Sequence, residues 1–141
     1  MDSNAIADRL KNPFLQLACV FILFLLANAV SKLFDTEDRF PWTLAVAFTL
    51  LYILYNVIIG LLTARHKYYW VFSIISFFIM MFAGGWIAQK ISGLEMDDAG
   101  TYRFLYGIFF PIYLLFIAIV TTMKKIVKLA EQDDHRFDKI K

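Results

Sequence analysis

Four apolar runs of about twenty residues, separated by short charged segments, constrain this 141-residue chain more than any other feature. They cover residues 13–32, 41–64, 68–90 and 102–123. A helix crossing roughly 30 Å of hydrocarbon needs about 20 such residues, whereas a transmembrane strand needs only about 9–11. Lipid offers no water to backbone N–H and C=O groups, so a run of this length must satisfy them internally, as a helix. Composition rules out the alternative of four buried helices in a soluble domain. The chain is 60% hydrophobic before glycine is counted, against roughly 45–50% with glycine in soluble domains, and its charged residues fall almost wholly between the runs. The expected fold is an all-α membrane protein, an antiparallel four-helix transmembrane bundle.

The connections between the runs are eight, three and eleven residues long. They are too short to hold another domain and short enough to make consecutive helices antiparallel neighbours. Residues 1–141 therefore read as a single integral membrane domain of up-down-up-down topology, with a basic tail over 124–141. Ten of the fourteen Lys and Arg residues lie in the N-terminal segment (Arg9, Lys11), the Arg65 to Lys67 turn and the tail. The other two loops carry Asp35, Glu37 and Asp38, then Glu95, Asp97 and Asp98. By the excess of positive charge on the cytoplasmic side, both termini are expected inside. Trp42, Trp86 and Tyr102 are expected at the outer interface, and Tyr68, Tyr69 and Trp70 at the inner one. Asn12 before Pro13, and Pro41 after Asp38 and Arg39, mark helix starts. Past Met123 the pattern stays helical until Asp133 and Asp134.

Ala27-Asn28-Ala29 at the end of the first run has the small-residue character of a signal cleavage site. The run continues through Val30 to Leu33 and is then long enough to span, so it reads as a retained helix. A lipoprotein signal at Cys19 fails because Gln16 stands where such a signal wants an aliphatic residue. One cysteine permits no internal disulfide. With no targeting extension or retention signal legible, a bacterial inner membrane is the expected location.

Ala45, Thr49, Tyr52, Asn56, Gly60 and Thr63 recur every three or four residues and share one face of the second helix. Ser73, Ser76, Met80 and Gly84 do the same on the third. Both stripes are expected to face protein, because helices in lipid associate through close approach at small residues and through interhelical hydrogen bonds. Asn28 and Asn56 carry amides that hydrocarbon cannot satisfy, and interhelical bonds are the expected solution. Pro111 follows Gly107 inside the fourth run and is the expected site of a helix kink. Lys124, Lys125 and Lys128 lie where anionic headgroups would meet them.

No ionisable residue falls in the middle of a run, which argues against proton-coupled and many ion-coupled carriers. His66 and His135 lie outside the runs, away from where a haem held between helices would need them. Asp133-Asp134-His135 is a weak pattern for a metal. No nucleophile with a spaced base and no phosphate-cradling glycine loop is present. The expectation is a non-enzymatic membrane protein with no cofactor, metal or nucleic acid. Its expected partners are the lipid bilayer and either itself or another membrane protein. It would act through helix packing, as a homo-oligomer or an accessory subunit. The rival is a small transporter or channel for a neutral or weakly charged solute, its path lined by Thr49, Tyr52, Asn56, Ser73, Ser76 and the Pro111 kink, with Asn28 a further packing or path-lining candidate. Lipid or quinone binding between the aromatic-rich runs ranks last. In a Cys19→Ser background, Asp97→Cys should react with an impermeant maleimide added to intact cells, and Arg136→Cys only after the cells are opened. The reverse labelling would overturn the orientation.

Overall fold

The computed structural model describes residues 12–34, 37–62 and 68–138, the side chains of 134–138 excepted. Arg9, Lys11, Asp35, Thr63, Ala64, the Arg65 to Lys67 turn and the side chains of Asp134 and His135 lie outside the described residues. Four α-helices follow in order: α1 (Pro13–Leu33), α2 (Phe40–Leu62), α3 (Tyr69–Ser92) and α4 (Thr101–Asp138). Each is long and apolar enough to cross a membrane.

The helix ends have local causes. Asn12 accepts a hydrogen bond from the Phe14 N–H at 3.0 Å, and Pro13 fills the first helical position, where a missing N–H costs nothing. Gly93 stops α3 with φ 69°, a left-handed conformation that carries no steric penalty in glycine, and its N–H bonds to Gln89 O at 2.9 Å. The expected stop of α4 at Asp133 and Asp134 needs correction, since the helix runs on to Asp138. Aspartate disfavours a helix end electrostatically but does not break a helix, and no glycine or proline follows Pro111 in α4. At 38 residues, α4 is about 57 Å long, nearly twice the thickness of the hydrocarbon.

The second helix is central: α2 packs against α1, α3 and α4, while α1 also packs on α3. Its stripe Ala45, Thr49, Tyr52, Asn56 and Gly60 is buried, as is the facing stripe Ser73, Ser76, Met80 and Gly84 of α3. Gly60 lets Trp70 close onto the α2 backbone, so that a Cβ there would stand 2.5 Å from the indole ring. Rings complete the interior. Phe24 meets Phe48 edge-on between α1 and α2 at 5.8 Å, and Phe77 of α3 lies 4.8 Å from Tyr113 of α4.

Two aromatics expected as interfacial anchors belong to the interior. Trp42 is 1% exposed, donates from Nε1 to Leu94 O at 3.4 Å and stands edge-on to Tyr106. Tyr69 is buried too. An indole or phenol near a helix end serves equally as an anchor or a plug, and the loop carbonyl of Leu94 gives the Trp42 N–H the partner it needs indoors. Trp86 and Tyr68, by contrast, are largely exposed, and Tyr102 is half-buried.

Gly60→Ala should lower the thermal midpoint in detergent, at a cost of about 1–3 kcal/mol for the overpacked ring. Gly107→Ala, where a Cβ meets nothing within 4 Å, should leave it unchanged or raised. Equal midpoints for Gly60→Ala and the parent would show that Trp70 moves aside freely.

Candidate functional site

The polar side chains of the interior converge on Asn56. This residue lies one turn after Tyr52 on α2, so both side chains leave the same face. On α3, Tyr69 and Ser73 are spaced likewise. α1 contributes Gln16 and α4 contributes Tyr113, so every helix supplies at least one member. All six side chains are buried.

Hydrogen bonds use the whole capacity of the Asn56 amide. Its Nδ2 donates to Gln16 Oε1 at 2.9 Å and to the Tyr52 hydroxyl at 3.2 Å. Its Oδ1 accepts from Tyr113 at 2.9 Å and from Ser73, and its backbone oxygen accepts from Tyr69 at 3.1 Å. The Ser73 and Tyr113 hydroxyls are themselves 2.5 Å apart, and Tyr52 donates to Ser73 O at 3.3 Å. The Gln16 and Tyr69 side chains meet at 3.4 Å. Between them, Asn56 Oδ1, Ser73 Oγ and Tyr113 Oη make three contacts with two hydroxyl hydrogens. One edge of that triangle therefore carries no proton at any instant, and the protons can redistribute among the edges.

Towards the other end of α2 the interior is less completely paired. Thr49 bonds back to Ala45 O at 2.7 Å. Among the described residues, the buried Ser76 Oγ and Tyr106 Oη have no partner at hydrogen-bond distance. The Tyr106 ring lies against Gly84 and Gly85, whose added Cβ atoms would stand 3.6 Å from it. Beyond it the Thr43 and Tyr102 hydroxyls meet at 2.7 Å, beside a surface cavity of about 520 Å³ whose lining includes Glu37, Arg39, Thr43 and Thr101.

Of the residues singled out in the sequence, Asn56, Tyr52 and Ser73 belong to the network, while Thr49 and Ser76 flank it. Asn28 stands apart and corrects the expectation of an interhelical bond. Its Nδ2 donates within its own helix to Phe24 O at 2.9 Å, and its Oδ1 has no partner among the described residues. Pro111 is exposed, and α4 stays helical on both sides of it. Lys125 and Lys128 are exposed and Lys124 is half-buried. Gln16, Tyr69 and Tyr113 were not singled out as members of a polar site. The signal for Gln16 was its position, one polar amide inside an apolar run. For α4 it was the seven-residue spacing of Tyr106 and Tyr113, which puts both phenols on one face. Among the described residues no three His, Cys, Asp or Glu side chains come together as a metal site would need.

Comparison with known protein families, with curated proteins and with solved structures found no match for this chain. Asn56→Leu should destabilise the bundle by about 2 kcal/mol, because it strands partners on all the other helices. Tyr113→Phe should cost about 1 kcal/mol, and Ser76→Ala should stay within about 0.5 kcal/mol of the parent. Reversible unfolding in mixed detergent checks the order, and a Ser76→Ala loss as large as that of Asn56→Leu would refute it.

Proposed function

We propose that this chain is a non-enzymatic, cofactor-free protein of a bacterial inner membrane that works through helix packing, as a homo-oligomer or as an accessory subunit of a membrane complex. In this reading the bundle is antiparallel, up-down-up-down, with both termini in the cytoplasm. One observation carries it. The amides and hydroxyls of α1 to α4 are turned onto one another around Asn56, in a cluster closed from lipid and solvent alike. The polar groups inside then serve as internal fastening, and what the molecule offers to others is its outside. That outside is apolar over the spans and continues into the far end of α4, with exposed Met123, Ile126, Val127 and Leu129. Lys124, Lys125 and Lys128 at the same level would draw anionic headgroups by about 1 kcal/mol each near the surface.

The rival reading, a small transporter or channel, has an observation of its own in Ser76 and Tyr106. Buried hydroxyls are almost always paired, and one without a protein partner is often met by water. Two in the interior, Ser76 on α3 and Tyr106 on α4, are what a sparsely hydrated path would need. The two readings part in experiment. Extraction from native membranes in mild detergent, followed by native mass spectrometry, should give either a stoichiometric companion or a homo-oligomer. A lone monomer would sink the packing reading. Solute flux into reconstituted vesicles that falls in Asn56→Leu, with the protein still folded, would put the transporter in its place.

A further inference from the structure

The last residue of α4 buried against the bundle is Val120; beyond it every described side chain is exposed except half-buried Lys124. The helix nevertheless continues to Asp138. From Val120 to Asp138 it runs about 27 Å, so its far end leaves both the other helices and, in the proposed orientation, the hydrocarbon. Apolar exposure on the lipid side of a span needs no explanation. In that orientation Ile126, Val127 and Leu129, 61%, 55% and 54% exposed, stand past the Lys124-Lys125 pair, outside the hydrocarbon.

Ile126 and Leu129 continue a pattern. Leu115, Ile119, Thr122, Ile126 and Leu129 follow one another at alternating steps of four and three, and all five are exposed. An average step of 3.5 residues keeps all five on one face of the helix and is the repeat of a left-handed two-helix seam. Ile119 and Ile126 occupy one set of seam positions, while Leu115 and Leu129 occupy the other. β-Branched residues at the first set with leucine at the second favour two parallel strands. Thr122 brings no unmet donor into such a seam, because its hydroxyl bonds back to Ala118 O at 2.8 Å. The lysines at 124, 125 and 128 fall outside the two core sets, and the next core position is charged Asp133, which closes the pattern after about 21 Å. No glycine or proline interrupts α4 after Pro111.

From this spacing we infer that the Leu115 to Leu129 face of α4 is the contact with a second copy of the chain, forming a parallel pair that begins in the inner half of the membrane and extends into the cytoplasm. Two copies inserted in the same orientation present this helix in the same direction, so a two-fold axis along the membrane normal gives the parallel arrangement without further requirement. The inference rests on the homo-oligomer arm of the proposed function and names its interface.

The test is a single-cysteine scan of positions 124 to 130 in the full-length Cys19→Ser protein, cross-linked in native membranes with a short bis-maleimide. Dimer yield should peak at 126 and 129 and be several-fold lower at 124 and 128. A flat profile, a peak on the lysine face, or cross-links only to a different protein would overturn the seam. Native mass spectrometry on the same protein separates the two levels. A homodimer with a flat profile sinks the seam and spares the homo-oligomer, whereas a monomer with no cross-link sinks both. As a second variant, Ile126→Lys replaces an exposed residue, so the thermal midpoint of the solubilised chain should hold while the dimer is lost; a persistent dimer would overturn the assignment.

Discussion

A primary amide in hydrocarbon must find partners within the protein, and Asn56 sets the arrangement of the whole bundle by that need. In water each of its hydrogen bonds would be exchanged for another at little net gain. Inside a membrane an unpaired N–H or C=O has nowhere to turn. With Gln16, Tyr52, Ser73, Tyr113 and the Tyr69 hydroxyl around it, Asn56 ties each helix to α2 by a directional contact. Apolar packing then fills in around a register that is already chosen. The small residues serve the same end, since Gly60 and Gly84 let Trp70 and Tyr106 approach helix backbones closely.

The extent to which this was legible in the sequence follows from the kind of signal each feature leaves. Span number and helical class come from run length, which the bilayer thickness fixes. The α2 stripe from Ala45 to Gly60 is legible because small and polar residues are conspicuous in an apolar run and their 3.6-residue period is regular. Gln16 was harder, because a single polar residue one turn from a helix start looks like a boundary residue. Trp42 and Tyr69 were harder still. Aromatic rings near a helix end serve as anchors in one protein and as plugs in another, and depth alone does not separate the two uses. Asn28 shows the opposite failure, since a residue that demanded an interhelical partner is answered within its own helix by the Phe24 carbonyl.

Helix length carries information that hydropathy does not. Apolar composition ends near Met123, yet α4 continues as one helix, because Lys, Leu, Ala, Glu and Gln are good helix formers and need no membrane to remain helical. The segment is thereby held rigidly to the bundle, and its exposed Ile126 and Leu129 keep the register of the span below them.

The order of the network along the chain bears on how such a protein is made. Gln16, Tyr52, Asn56, Tyr69 and Ser73 all precede α4, and their mutual bonds involve only α1, α2 and α3. A nascent chain leaving the ribosome can therefore settle Asn56 among three helices while the fourth is still being synthesised. Tyr113 arrives last, as a latch on an assembly whose register has already been chosen, so the late and unusually long helix is recruited to a template instead of having to help build one.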